Sequence, residues 1–533
     1  MKKVIAFIMA FVMVLSLAAC GSGGQTETTE PKAPVVSGDN ETNPKETGSA
    51  EPTVLRVGVP EIPDNMDPGT AVSNDKLMIN FNVFDTLVFR DNYGDGEMLS
   101  YIAESWETID GYSIKVKLKE GITFHNGEAL TAEDVKFSVE RVANDDGTYI
   151  NSNIQTLFSN IEGVEIVDDL TLIVKSKTSD PVLLDRFSTV MGIYIVPKDY
   201  CEEVGNEAFG MAPVGSGPYK VVEYSPEKIV LEYYEGYYGE KPAFDRVEYL
   251  AYPETSTRVT ALMTGEIDMC FQITSDNIDQ IEAVDGLRVD ITEVGLFHLL
   301  CFNSSVAPMD DINLRKALSL SIDRELIAET VWGGYAHVRN GYNFPEYGDY
   351  YIEDYPEYVY DVELAKEYLA KSDYAGEPII YQLRPGYYTL GNEVAEAIVS
   401  MWNAIGVNAV VEYNSKWEYD VFHVHNWSNS PRFYDPVGGL WTLWGAGTRC
   451  DRNYWLDGDT KTEFFAQAET LQTSTDFDER YEANRRMMEL WDDEAVGTIL
   501  FQISEFCGMD ENLVWTRCPD FSVSFRAEHL SVK

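Results

Sequence analysis

Between Tyr419 and Trp444 the sequence reads YDVFHVHNWSNSPRFYDPVGGLWTLW, a dense run of side chains that can do chemistry. His423, His425 and Trp427 alternate with Phe422, Val424 and Asn426, so on a strand they share one face. Two readings fit that face: a buried strand end with satisfied imidazoles, or one wall of a ligand site. His423-x-His425 supplies two nitrogens, half of what a tetrahedral metal needs, so a metal is the weak alternative here. Ser430, Arg432, Tyr434 and the pair Asp435-Pro436 follow. Arg432, and Arg384 upstream, can grip a carboxylate bidentately, or can be solvated surface charges. Tyr387, Tyr388, Trp427, Tyr434 and Trp441 can wall a site or fill a core.

Enzyme chemistry has little to stand on. The chain contains no H-E-x-x-H, no G-x-S-x-G elbow and no EF-hand loop. With 6 histidines and 89 acidic residues, acid pairs are inevitable and carry no information. The glycine-rich stretch Pro213–Tyr219 lacks both the Walker spacing and the G-x-G-x-x-G spacing, and Pro218 removes a donor from it. Its glycines therefore read as structural. No cofactor is expected.

These residues belong to a chain of 533, long enough for two or three domains. A net charge of −49 repels phosphate backbones, which argues against nucleic-acid binding. Lys2 and Lys3 precede an apolar run, Val4–Leu17, too short for a convincing span, so residues 1–19 read as a signal peptide. Residues 20–52 are rich in Gly, Ser, Thr, Glu and Pro and read as a flexible tether. No later stretch is long and apolar enough to span a membrane, so the folded part is expected to be soluble. The six cysteines after Cys20 show no C-x-x-C. Cys507 and Cys518 can close a hairpin, or all six can be buried thiols.

The elements that position the candidates follow from periodicity. Leu55, Val57 and Val59 alternate as a first strand. Ile114, Val116 and Leu118 alternate with lysines in a half-wet strand, and Val135, Val139 and Val142 form a helical stripe after Thr131-x-x-Asp134. Ile379–Leu383 and Val407–Tyr413 read as strands around a helix over Glu393–Ile405. Asp311, Asp323 and Asp361 are placed to cap helices, the second with Leu326, Ile327 and Val331 on its buried face. Apolar Leu299–Phe302 and Thr498–Ile503 read as short strands, and Ser474–Trp491 as a long helix. Strand and helix alternation implies an α/β fold.

Several linear strings resemble a known family. FNSSVAPMDDINLRKALSLSIDR, from Phe302 to Arg324, is similar to a central motif of family 5 solute-binding proteins. These are the extracytoplasmic receptors of oligopeptide, dipeptide and nickel ABC importers. DGYSIKVKLKEGITFHNGEALTAEDV, PVGSGPYK and GEID also resemble that family, over nearly all of residues 53–515. The lipobox-like Leu17-Ala18-Ala19-Cys20 implies lipidation of Cys20 and a membrane-anchored, extracytoplasmic protein.

The resemblance implies a periplasmic-binding-protein-like α/β fold of the large three-domain class II type, with two lobes and a hinged ligand cleft. Its implied layout is lobe I at 53–87, 190–295 and 501–533, a small β-rich domain packed on lobe I at 88–189, and lobe II at 296–500. The implied partners are a peptide or peptide-like solute, a permease and an ATPase. Asn65 and Met66, in the loop after the first strand, and Arg384, Tyr388, His425, Trp427, Ser430, Arg432, Tyr434 and Asp435 are the expected ligand contacts. In peptide-binding relatives an aspartate shortly before the Asp/Glu-Pro pair holds the free ammonium. Here Ser430 and Arg432 stand in its place, which shifts the expectation toward an anionic or modified peptide. A metal chelate, or, in another class, an extracytoplasmic hydrolase or a sensor, are the alternatives. His125 reads as a structural turn residue.

Overall fold

The computed structural model describes residues 52–533 apart from 71–72, 92–95, 144–151, 190–191, 417, 419–420 and 519–521. The expected signal peptide, Cys20 and the tether lie outside the described residues.

The chain opens with strand β1 (Val54–Val59) and helix α1 (Asn74–Val83). Strands β2 (Ala103–Asp110) and β3 (Ser113–Leu118) follow, then α2 (Ala132–Ala143), β4 (Ile161–Asp168) and β5 (Thr171–Ser176). Next come β6 (Tyr219–Tyr224), β7 (Lys228–Tyr233), β8 (Arg246–Ala251), α3 (Thr255–Met263) and β9 (Met269–Phe271). The long β10 (Leu287–Phe302) leads to α4 (Ile312–Leu320), α5 (Arg324–Thr330) and α6 (Val362–Lys371). Then β11 (Ile379–Leu383), α7 (Gly391–Ala404), β12 (Ala409–Tyr413) and β13 (Val424–Asn429) alternate. Helices α8 (Asp459–Thr473) and α9 (Phe477–Glu494) precede the long β14 (Gly497–Asp510).

One sheet runs β12-β11-β13-β10-β14-β9-β1-β8-β7-β6, with the two-residue strand Ala336–His337 pairing β14 off that path. β10 and β14 pair along most of their length and join the two halves. Glu293 faces Ser504 but Phe297 faces Gln502, so two extra residues of β10 bulge out mid-sheet, where Gln502 Nε2 donates to Val294 O at 2.9 Å. A bulge of this kind bends and loosens the ladder. A second, four-stranded sheet, β2-β3-β5-β4, carries α2. This is the two-lobe α/β fold with an added β-rich unit.

Local chemistry explains the joints. Asp311, Asp323 and Asp361 each accept a backbone N–H of the helix they precede, at 2.8, 3.0 and 2.9 Å. His125 Nδ1 accepts from Gly215 N at 3.2 Å and its Nε2 donates to Gly217 O at 3.0 Å, so the imidazole staples the small sheet to lobe I. Burial holds its pKa down to about 4, a neutral ring. Gly215 must be glycine because a Cβ there would meet Val83 O at 2.1 Å. Gly217 N donates to the same carbonyl at 3.0 Å, so this loop seals the end of α1 and cradles no phosphate. The core of the small unit also continues into Phe297, Leu299, Trp444 and Trp491.

Three expectations change. β10 and β14 are far longer than the apolar stretches that announced them, because buried Ser504 and Glu505, the half-buried segment 287–290 and exposed Ile291 interrupt the hydrophobic run. Leu326 is 48% exposed, since α5 turns Ile327 and Ala328 inward instead. Cys507 and Cys518 are buried thiols not joined in a disulfide, like the other four described cysteines. Cys507 lies inside β14, while the hairpin that follows pairs Leu513–Trp515 with Leu530–Val532.

Candidate functional site

Strand β1 is parallel to both β8 and β9, so the three carboxyl ends lie together. Each exits into a cavity: Pro60 and Glu61 after β1, Pro253 and Glu254 after β8, Gln272 after β9. From the other half of the sheet, β11 exits into the same cavity with Arg384 and the loop that leads to α7. Ligand sites of open α/β sheets form outside strand carboxyl ends for this reason: loops there are free to vary while the strands hold them still. The cavity measures about 560 Å³, within the roughly 300–1,000 Å³ of small-molecule sites.

The wall at the exits of β1 and β8 is acidic. Glu61, Asp75 and Glu254 line it. The Glu61 carboxyl is raised above its ordinary value, first by desolvation, then by Asp75, against the lowering effect of Arg384. Arg258 also lines the cavity but offers it little charge. Its guanidinium donates to Phe271 O at 2.9 Å, to Gln272 O at 2.8 Å and to Tyr252 O. It sits 1% exposed beneath Gly58, where a Cβ would approach its Cγ to 3.1 Å. Arg258 therefore fixes the exits of β8 and β9.

The wall at the exit of β11 is Arg384, Tyr387, Tyr388 and the start of α7. The Arg384 guanidinium lies 4.7 Å from the Tyr387 ring centroid, and among the described residues it makes no hydrogen bond or ion pair. Tyr388 is 8% exposed, and its hydroxyl accepts from Ser428 Oγ at 3.3 Å.

Two residues of this cavity carry unusual backbone. Gln272 has φ 51° and Leu390 φ 55°; with Ala495 they are the non-glycine residues of positive φ among those described. Such conformations cost on the order of 1–3 kcal/mol each and gather where the surrounding structure has reason to hold them.

The structure does not bring the other expected contacts here. Met66 is fully buried, with its N–H on Gly210 O at 2.9 Å, and Asn65 Oδ1 accepts from Asp67 N at 2.8 Å. These two shape the loop behind the cavity and do not line it. His425, Trp427, Ser430, Arg432, Tyr434 and Asp435 lie at β13 and its loop, also off this wall. His425 is 2% exposed, with Nδ1 on Asn426 O at 2.7 Å and Nε2 on Tyr454 OH at 2.6 Å. His423 accepts from Ile380 N at 2.9 Å through Nδ1 and reaches Ala307 O at 3.1 Å through Nε2. With every ring nitrogen engaged, the His423/His425 metal alternative is corrected to buried, satisfied imidazoles. Burial lowers both pKa values, that of His425 to about 3. Among the described residues no group of three His, Cys, Asp or Glu is arranged to hold a metal ion.

The Trp427 ring lies tilted against Trp444, centroids 5.9 Å apart, with the Arg449 guanidinium 5.1 Å from the Trp427 centroid. Both carboxylate oxygens of Asp435 accept from Arg480 Nη2, at 2.7 and 2.8 Å, and Asp435 also caps the turn at Val437. Arg432 donates its N–H to Gly438 O at 2.9 Å, and burial lowers its side-chain pKa to about 10. Ser430 is buried and Tyr434 half-buried in the same loop.

Residues 97–449 match the bacterial extracellular solute-binding proteins, family 5, middle region. The chain belongs to this family. It is similar to the glutathione-binding protein of Pectobacterium atrosepticum, 29% identical over 283 residues, 52% of this chain and 54% of that one. The aligned part thus spans about half the length of that curated relative. The fold is shared with a periplasmic binding protein of Helicobacter pylori in complex with the peptide STSA, TM-score 0.79 at 21% identity, over 90% of this chain and 98% of that one. A Campylobacter jejuni protein in complex with Ni(L-His) matches at TM-score 0.78 and 19% identity, over 90% and 99%. This family 5 protein carries no described helix long and apolar enough to cross a membrane.

Of the expected contacts Arg384 and Tyr388 line this cavity, and Glu61, Glu254, Gln272 and Leu390 line it without having been expected. The signal was available: three of these four directly follow strand ends or their proline.

Proposed function

We propose that this chain is the extracytoplasmic receptor of an ABC importer, and that it captures a small peptide or peptide-like solute in the cavity between β1, β8, β9 and β11. The observation that carries this reading is the Arg384 guanidinium, set without an ion-pair partner into a cavity walled by both halves of the sheet. A carboxylate is its natural complement, held bidentately. Charge-assisted bonds of this kind contribute roughly 1.5–3 kcal/mol each.

The bulge at 293–297 is the place where the two lobes would swing, since the β10–β14 ladder is broken there. A solute that touches Arg384 from one lobe and the β1 exit from the other binds the closed form better than the open one. That differential affinity shifts the population; about 5.5 kcal/mol moves it from 1:99 to 99:1. The closed form would then dock on a membrane permease served by a separate ATPase. Lipid on Cys20 would tether the receptor at the outer face of the cell membrane.

Among the described residues the wall of this cavity contains no Ser, Cys or His, so a hydrolase reading finds no Ser–His or Cys–His pair there. A metal chelate would have to enter without an imidazole. Native mass spectrometry of the purified full-length chain tests the reading. A retained peptide or other carboxylate is the expected result; a retained solute with no acidic group would overturn it.

A further inference from the structure

The cavity holds two charges of opposite sign, one from each lobe. Arg384 comes from the exit of β11 and Glu61 from the exit of β1. Each lacks an ion pair or side-chain hydrogen bond among the described residues, yet Arg384 lies near enough for its charge to act on Glu61. They are separated by more than an ion-pair distance and by a cavity of about 560 Å³. The remaining charges sharpen the polarity. Asp75 and Glu254 stand on the Glu61 side, and Arg258, which could have neutralised them, is turned onto backbone carbonyls. On the Arg384 side the one acid is Glu393, in the first turn of α7, where the helix dipole favours it.

A solute filling this space must meet Arg384 with an anionic group. It must also put something beside Glu61, and a second carboxylate there would face the like charges of Glu61, Asp75 and Glu254. The loop after β13 offers no substitute. Ser430 and Arg432 are not acids, and Asp435 is clamped by Arg480. We infer that Glu61 is a specificity-determining residue: it receives the cationic group of the solute, so that the receptor selects molecules carrying a carboxylate at one end and an ammonium or guanidinium at the other. This rests on the cavity being the solute site. It adds to that reading a direction for the bound molecule, cation toward β1 and carboxylate toward β11.

Isothermal titration of the purified full-length chain with three probes tests it: alanyl-alanine, its N-acetyl derivative, which has no cation, and its C-terminal amide, which has no carboxylate. The free dipeptide is expected to bind at least tenfold more tightly than the N-acetyl form. In Glu61→Gln that preference is expected to fall to about twofold, through weaker binding of the free dipeptide alone, while Glu61→Asp retains part of it. Glu61 is exposed and makes no structural bond, so both variants are expected to fold as the parent does. An unchanged preference in Glu61→Gln overturns the inference. It leaves the cavity assignment standing if Arg384→Ala still abolishes discrimination against the amide. Failure of every probe to bind the parent overturns both.

Discussion

Two regions of this protein hold the residues that chemistry would single out, and they behave in opposite ways. The loop after β13 is the richer by composition, with two histidines, two arginines, an aspartate and three tryptophans within Phe422–Arg449. There the imidazoles and Asp435 turn inward, while Asn426 Oδ1 and Trp441 Nε1 find no hydrogen-bond partner among the described residues. His423 and His425 close on backbone and Tyr454, and Asp435 closes on Arg480. The cavity at the ends of β1 and β11 is plainer, yet Glu61 and Arg384 remain uncommitted. Buried polar groups have to be satisfied internally, so side-chain density marks a well-braced wall. Readiness for a charged ligand shows in which charges are left unpaired.

The largest effect that separates the two regions is on stability. Asp435→Ala leaves the Arg480 guanidinium buried without its carboxylate, which costs roughly 3–5 kcal/mol. Urea denaturation should show that loss for Asp435→Ala, while Arg384→Ala stays within about 0.5 kcal/mol of the parent. Equal losses would erase the distinction.

A second test concerns the ladder that joins the lobes. Glu505 is buried in β14 with its carboxyl raised to about 7 by desolvation, and Arg517, 3.8 Å away, only partly offsets this. A carboxyl with a raised folded pKa holds its proton more tightly when folded. Its contribution is therefore greatest at low pH and is lost as pH rises from the unfolded value, near 4.5, toward 7. Glu505→Gln should remove that slope, so that its stability relative to the parent improves across this window by on the order of 1–3 kcal/mol. A pH-independent difference would contradict it.

The smallest effect belongs to the cavity rim. Leu390 sits at φ 55°, ψ 17°, where glycine is at ease. Leu390→Gly should raise stability by roughly 0.5–1 kcal/mol in thermal denaturation, strain relief outweighing the added chain entropy. A loss would mean that the Leu390 side chain holds the rim more than the backbone strains it.

Much of the fold was legible because local and tertiary preferences agree. Ile379–Leu383 forms the strand its residues announce, and Asp311, Asp323 and Asp361 cap the helices they precede. The joining strands and α8 were not, since Ser504, Glu505 and Gln472 are polar residues buried by tertiary contacts that no periodicity reveals. At the site, Arg384 and Tyr388 were legible from the strand before them. Glu61 was not, being one acid among 89. Its distinction lies in three parallel strands ending together, which is a property of the sheet.

The central claim is that solute binds at Arg384. The most direct measurement is native mass spectrometry of the parent and Arg384→Ala, purified side by side, comparing the fraction of protein that retains a small molecule. The parent should carry a carboxylate-bearing solute, and the variant, equally folded, should have lost most of it, consistent with a tenfold to hundredfold drop in affinity. Equal retention in both would place the solute elsewhere and contradict the account.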